Sequence, residues 1–183
     1  KVTEVNICQH ADIISFELYT SCNSYRFICV YRPPKHDIAA HEDSFLLAKY
    51  IEDQTLGHRG PVFVMGDINC PNINYATYSP TTNRIELNIQ DALNYNGFRR
   101  CVPSATRGNN TLDVVCTTEP LLINDISVNA PFSTSDHNEV SFIINLPDTR
   151  TENVNLPTEV RYLWAKADYV AMSDQLKQVK WEE

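Results

Sequence analysis

The residues most suited to chemistry are Gly66-Asp67-Ile68-Asn69, which overlap the end of the apolar run at 62–65. A carboxylate and an amide two residues apart at the end of a buried strand point to the same side. The carboxylate only accepts hydrogen bonds, whereas the amide both donates and accepts. This pair suits chemistry on a phosphate bound to a hard cation such as Mg²⁺. The alternative interpretation is an ordinary polar turn after a strand.

Two further groups contain residues that handle protons, metals or phosphates. Ser135-Asp136-His137 precedes an apolar run, and its histidine could serve as a general base or as a cation facing a phosphate oxygen. Its aspartate could bind a metal ion. Asp113 begins another apolar run, where its carboxylate could orient a histidine. The alternatives are a polar turn and an aspartate bonded to a turn amide.

Two groups could contact the substrate. Thr106-Arg107 could bind a phosphodiester through a hydroxyl and a guanidinium. Tyr31 ends a third apolar run, where its hydroxyl could donate to a substrate oxygen. The alternative for Tyr31 is an aromatic core residue with a solvated tip. His58, like the other histidines outside these groups, is expected at the surface.

Strands and helices must bring these groups together. Helical spacing of apolar residues predicts helices at 41–56 and 85–94, and an apolar helical face follows at 162–179. Alternation and β-branched content predict strands at 13–18, 25–31, 62–65, 98–102, 112–116, 123–128 and 139–144. This order predicts an α/β (α+β) layered sandwich. The aperiodic residues 145–157 indicate a linker.

Composition sets broad limits on function. The chain has 183 residues, a formal net charge of −8 and six cysteines. An acidic chain is not expected to bind nucleic acid through charge alone, but a cation-loaded site does not require a basic protein. The cysteines form no zinc-binding pattern, so reduced thiols in a nuclear or cytoplasmic protein are expected, with extracellular disulfides as the alternative. The sequence shows no signal peptide or membrane-spanning segment.

The order of these motifs resembles a known superfamily. Tyr31-Arg32-Pro33-Pro34, Gly66-Asp67-Ile68-Asn69, Thr106-Arg107 with Leu112-Asp113, and Ser135-Asp136-His137 are similar to the endonuclease/exonuclease/phosphatase superfamily, which has the DNase I-like fold. The closest resemblance is to the endonuclease domain of LINE-type non-LTR retrotransposon polyproteins. Residues 164–169 and Trp181 resemble the linker between that domain and the reverse transcriptase.

The resemblance implies a metal-dependent endonuclease that nicks DNA. Asp67 would position or activate the attacking water, Asn69 would bind the scissile phosphate, and Asp113 would orient His137 at that phosphate. Mg²⁺, with Mn²⁺ as the alternative, would be held by Asp136 and Asp67. The remaining phosphate contacts implied by the resemblance are Tyr31, Thr106 and Arg107.

The resemblance also implies a partial fold. The family supplies an asparagine on its first strand and a metal-binding glutamate on a later one, and neither has a counterpart here. We therefore expect a DNase I-like sandwich without its N-terminal portion at 1–146 and a linker with a helical tail at 147–183. Such a chain would bind Mg²⁺ weakly and nick DNA poorly or not at all.

The implied partners are DNA and a reverse transcriptase domain in cis, with no membrane partner. Two alternatives remain open for the activity. One is an inactive fragment or decayed gene product that acts, if at all, as a binding module. The other is a superfamily phosphatase that acts on phosphoinositides or phospholipids.

Overall fold

The computed structural model describes residues 2–5, 11–21, 23–34, 38–73, 80–147 and 168–178. A six-stranded sheet forms its centre. In spatial order its strands are β1 (Val2–Val5), β2 (Asp12–Tyr19), β3 (Ser24–Tyr31), β4 (Val62–Asp67), β6 (Asp113–Thr117) and β5 (Arg99–Arg100).

Helices and a hairpin complete the layers. Helix α1 (Ile38–Leu56) connects β3 to β4, which pair in parallel, and α2 (Arg84–Tyr95) follows β4. All other paired strands are antiparallel. After the short 3-10 helix Pro120–Leu122, strands β7 (Ile123–Pro131) and β8 (Asn138–Ile144) form a separate two-stranded sheet.

Each face of the large sheet has its own apolar core. On one face, β4 contributes Val62 and Val64 to a cluster with residues of α1 and α2. On the other face, Phe63 packs with residues of the hairpin β7–β8. There the rings of Phe16, Phe27 and Phe63 stack in series, with centroids 4.7 and 4.8 Å apart. Burial on both faces explains why β4 is continuously apolar.

The structure confirms the predicted fold class, and the predicted strands and helices follow in the predicted order, but β1 (Val2–Val5) is a strand that the sequence analysis did not predict. The boundaries differ at some ends: β5 is limited to Arg99–Arg100, β7 extends to Pro131 and α1 begins at Ile38. The last helix, α3 (Tyr169–Gln178), lies within the predicted helical face, whereas most of the predicted linker and Trp164 lie outside the described residues. The division at residue 146 stays a prediction.

The prediction that His58 lies at the surface is wrong. Its side chain is almost fully buried, with Nδ1 3.6 Å from Oε1 of Glu17 and Nε2 3.1 Å from the carbonyl oxygen of Ser24. The sequence gives no sign of this because both partners come from distant strands. Cys29, Cys70, Cys101 and Cys116 are free thiols. Within the described part of the chain, no helix combines the length and apolar character needed to cross a bilayer.

Candidate active site

Three strand ends form one row across the large sheet. Tyr31, the last residue of β3, is the register partner of Asp67, which is in turn the partner of Asp113. Register partners on neighbouring strands project to the same face, so these three side chains share the face of Phe63. The β-sheet register thus brings together residues from three separate motifs.

The hairpin β7–β8 brings His137 to this row. Asn138, at the start of β8, donates from its backbone N–H to the carbonyl oxygen of Thr106 at 2.7 Å, and its side-chain Nδ2 donates to the carbonyl of Ala105. His137 Nδ1 lies 2.8 Å from Asp113 Oδ2. Since an ionised carboxylate only accepts hydrogen bonds, Nδ1 carries the proton. Nε2 is therefore the ring nitrogen left to interact with a substrate.

Asp67, Asp113 and His137 form the cluster in which chemistry is concentrated. Each offers one ligand atom, and the three atoms lie within 4.8 Å of one another. Burial raises the pKa of Asp67, and the neighbouring Asp113 charge raises it further. The hydrogen bond from Asn69 and the proximity of His137 act in the opposite direction. Two carboxylates so close together attract either a proton or a cation.

Asn69 lies in a tightly held turn just after Asp67. Its backbone is left-handed with φ of 47°, a conformation that asparagine tolerates better than most residues. Its N–H donates to Oδ1 of Asp67 at 3.0 Å, and its side-chain Nδ2 donates to the carbonyl oxygen of Arg32 at 2.9 Å. The side chain is thus close to Asp67 but is engaged with the protein backbone.

Thr106 is fully buried, unlike a hydroxyl that contacts DNA. Its Oγ1 accepts hydrogen bonds from the backbone N–H groups of Leu112 and Asp113, each at 3.0 Å. Its carbonyl oxygen accepts the bond from Asn138 described above. Thr106 therefore connects the start of β6, which carries Asp113, to the start of β8, which follows His137, while its contact with a phosphate stays a prediction.

Asp136 and Arg107 bind each other at the edge of the site. Asp136 Oδ2 lies 2.5 Å from a terminal nitrogen of Arg107, and both side chains are largely exposed. Asp136 is not a member of the Asp67–Asp113–His137 cluster, and no glutamate joins that cluster among the residues that the structure describes. A metal role for Asp136 and a phosphate role for Arg107 would each require this ion pair to open.

Sequence reasoning missed Arg32 and Glu86 as residues that hold the site. Both charged side chains are buried beside the segment that follows β4. The adjacent Tyr31 drew attention to the strand end, but nothing in the local pattern distinguishes Arg32 from an exposed arginine. Glu86 lies in the first turn of α2, where an exposed acidic residue is common because it complements the helix dipole.

Asp67→Asn is expected to raise the melting temperature at neutral pH. The folded-state pKa of Asp67 is raised, so this group favours folding below its unfolded pKa, and that contribution is lost as pH rises through the folded pKa. Asparagine removes the buried charge but keeps an oxygen that can accept from Asn69. Thermal unfolding of both proteins between about pH 3 and pH 8 measures the difference, which should shrink towards acid.

The exposed Asp53 provides the control for this substitution. Asp53→Asn removes a solvated charge and should leave the melting temperature at neutral pH unchanged. A lower melting temperature for Asp67→Asn at neutral pH would contradict the expectation, because the charged hydrogen bond would then outweigh the cost of burial.

Sequence comparison identifies the family to which this architecture belongs. Residues 25–141 match the family described as endonuclease-reverse transcriptase. This range covers well over half of the chain and includes Tyr31, Asp67, Asp113 and His137. No curated protein matches the sequence significantly.

Solved structures share the fold. The endonuclease domain of TRAS1, a telomere-specific non-LTR retrotransposon, superposes with a TM-score of 0.55 at 19% identity, over 80% of this chain and 69% of that one. The 3′ phosphatase NExo from Neisseria, bound to product DNA hairpin, gives 0.51 at 16% identity, over 73% and 65%. This chain therefore spans only 69% and 65% of the lengths of these two structures.

Family match and fold agree. The layered sheet is that of the endonuclease/exonuclease/phosphatase superfamily, whose members are hydrolytic enzymes. The strand ends that carry Asp67 and Asp113, with the hairpin that carries His137, lie within the matched residues. The chain is a member of the endonuclease-reverse transcriptase family, with a DNase I-like fold.

Proposed function

We propose that this chain carries the catalytic centre of a metal-dependent endonuclease that nicks DNA. One observation carries the proposal: His137 is hydrogen-bonded to Asp113 at 2.8 Å, and Asp67 lies in the same cluster. A carboxylate that orients an imidazole, next to a second carboxylate, provides the groups needed to activate water at a phosphodiester.

The reaction divides between the two carboxylates and the imidazole. Asp67 accepts a proton from a water molecule as the water oxygen bonds to phosphorus, a task that its raised pKa favours. One phosphorus–ester oxygen bond breaks, and the departing oxygen takes up a proton from water. Asp113 holds His137 so that Nε2 faces the phosphate and stabilises the developing charge. A contact between the Asn69 side-chain amide and the phosphate would require a donor beyond the one bonded to the carbonyl oxygen of Arg32.

The donor set suits a hard divalent cation through its carboxylates. Asp67 and Asp113 would hold the ion, and Asp136 would join them if its ion pair with Arg107 opened. Burial is the main cause of the raised pKa of Asp67, and the nearby charge of Asp113 adds to it, so a cation placed between the two carboxylates would relieve that second contribution. When bound, Mg²⁺ or Mn²⁺ would stabilise charge on the phosphate. Two or three protein ligands leave most of the coordination shell to water and substrate, which supports weak binding.

Exposed aromatic residues support a nucleic-acid substrate. Tyr31 is 48% exposed beside Asp67, and Phe132 is 79% exposed in the turn that leads to His137. The Phe132 carbonyl oxygen accepts a hydrogen bond from the Ser135 N–H at 3.1 Å, which fixes this turn. Aromatic faces of this kind stack on unpaired or distorted bases. The two superposed proteins, a retrotransposon endonuclease and a DNA-bound phosphatase, are consistent with this choice.

Plasmid relaxation tests the proposal. Supercoiled DNA is incubated with excess protein in Mg²⁺, in Mn²⁺ and in EDTA. We expect slow, metal-dependent conversion to nicked circles that EDTA abolishes. Hydrolysis of phosphomonoesters or phosphoinositides without nicking would favour the phosphatase alternative, and no hydrolysis of any of these substrates would favour an inactive binding module.

A reverse transcriptase domain in cis is proposed from the linker-like residues 164–169 alone.

Phe132→Ala is expected to weaken DNA binding without changing the chemistry on a small substrate. Loss of one stacked base costs about 1–3 kcal/mol, which corresponds to roughly 5- to 150-fold in affinity. Fluorescence anisotropy with a labelled oligonucleotide containing a short unpaired region measures this loss. Hydrolysis of bis(p-nitrophenyl) phosphate should be unchanged.

Tyr95→Ala is the matched control for this comparison. Tyr95 is a similarly exposed aromatic residue at the end of α2, on the face of the large sheet opposite to the cluster. The Tyr95→Ala variant should bind DNA with the same affinity as the unsubstituted chain. Equal affinities of the two variants would count against a base contact at Phe132.

A further inference from the structure

The segment after β4 contains a buried arginine on one side. Arg32 is 3% exposed, and its Nη1 donates to the carbonyl oxygens of Ile68 and Asn69 at 3.2 and 3.4 Å. Its backbone N–H donates to the carbonyl of Asp67 at 2.8 Å, and its own carbonyl accepts from the Asn69 side chain. Main chain and side chain of Arg32 thus contact three consecutive residues of the turn.

A buried glutamate holds the other end of the same segment. Glu86 is 1% exposed, and its Oε2 accepts from the backbone N–H of Asn72 at 2.9 Å. Its Oε1 accepts from the side-chain amides of Asn72 and Asn83 at 2.8 and 3.3 Å. Residues 67–72 are therefore held at one end by Arg32, which follows β3, and at the other end by Glu86 of α2.

Both charges act on Cys70, which lies in the segment that they hold. Burial raises the pKa of Cys70 to about 12, while Arg32 lowers it and Glu86 raises it further. Burying a charge is costly, and apolar residues often fill such a space with equal or greater stability. The specific hydrogen bonds to the turn therefore indicate a role beyond filling the core.

We propose that Arg32 and Glu86 are positioning residues that hold Asp67 and Asn69 in the geometry required for hydrolysis. The inference rests on the proposed function of the cluster. Arg32 is buried and acts through the turn: it holds the carbonyls of Ile68 and Asn69, which keeps the Asn69 N–H directed at Oδ1 of Asp67. That hydrogen bond orients the carboxylate that receives the proton from water. Glu86 prevents the segment from moving at Asn72.

Arg32→Gln is the principal test, with Arg26→Gln as its matched control. Arg26 lies near the start of β3, whereas Arg32 directly follows the end of β3, and Arg26 bonds to Glu17 and to the carbonyl oxygen of Gln54. Both substitutions remove a guanidinium with hydrogen bonds to the protein, so both should lower the melting temperature. Arg32→Gln alone should accelerate hydrogen exchange of the Asn69 N–H, measured by NMR. It should also lower kcat for nicking by roughly 10- to 100-fold with little change in KM.

Two further variants separate positioning from folding. Arg32→Lys keeps the charge but loses the planar fork of donors, so it should retain more stability than Arg32→Gln yet still show faster exchange at Asn69. Glu86→Gln should accelerate exchange at the Asn72 N–H and lower kcat in the same direction. If Arg32→Gln fails to fold, these two variants decide the question through the same measurements.

The outcomes distinguish this inference from the proposed function. Faster exchange at Asn69 with unchanged kcat, or exchange no faster than in Arg26→Gln, would overturn the positioning role. If the unsubstituted chain hydrolyses none of the tested substrates, the proposed catalytic function fails. In that case, exchange at Asn69 and Asn72 still shows whether the two charges hold the turn.

Discussion

Replacement of His137 by alanine is expected to lower the rate of DNA nicking by about 10²- to 10⁴-fold, the usual contribution of a positioned acid, base or charge. Nδ1 of His137 is bonded to Asp113, so Nε2 of the same ring is available to the phosphate. Its loss leaves two carboxylates facing an anionic substrate. The rate is measured as single-turnover relaxation of plasmid at enzyme excess, since weak nicking is expected of the 183-residue chain.

His41→Ala controls for the loss of an imidazole elsewhere. His41 is exposed on α1 and its side chain makes no contact with the cluster. This variant should nick at the original rate. A His137→Ala protein that is folded and nicks within about threefold of the original would show that hydrolysis does not depend on this cluster.

Gly66→Ala is expected to have the largest effect on stability. Gly66 has φ of 124°, and a Cβ added there would lie 2.1 Å from the carbonyl oxygen of Val30 on the paired strand. The disfavoured backbone costs about 1–3 kcal/mol. Forcing β3 and β4 apart costs about another 1–3 kcal/mol. Urea unfolding followed by circular dichroism measures the combined loss.

Gly97→Ala separates the two causes of this loss. Gly97 also has positive φ, at 75°, but a Cβ there would meet nothing within 4 Å. It should show only the backbone cost. Equal destabilisation of the two variants would mean that the close approach of β3 and β4 is not what requires glycine. Since Asp67 follows Gly66 directly, this close approach also sets where the carboxylate lies.

The sequence predicts the strand ends that carry the site well because two kinds of local information coincide there. Apolar runs mark the strands, and polar residues at their ends mark where the chain leaves the core, so Asp67 and Asp113 could be located without coordinates. Neighbouring strands in register then bring them together. The order of the motifs adds the family and hence the fold.

The supporting residues could not be predicted in the same way. Arg32, Glu86 and Thr106 have buried side chains because of what packs over them from distant parts of the chain. Charged and hydroxyl side chains are normally exposed, so composition and spacing assign them to the surface. The ion pair between Asp136 and Arg107 likewise depends on how two loops meet, since these residues are far apart in sequence.

The hairpin β7–β8 gives the site a particular weakness. Asp67 and Asp113 belong to the large sheet, but His137 lies directly before β8 of the separate two-stranded sheet, which is held by the apolar packing around Phe63 and the hydrogen bonds of Asn138. Small structural units of this kind open at a lower free energy than the whole domain. Catalytic competence would then be set by how long the two sheets remain docked, and heat could separate the imidazole from its carboxylate while the large sheet stays folded.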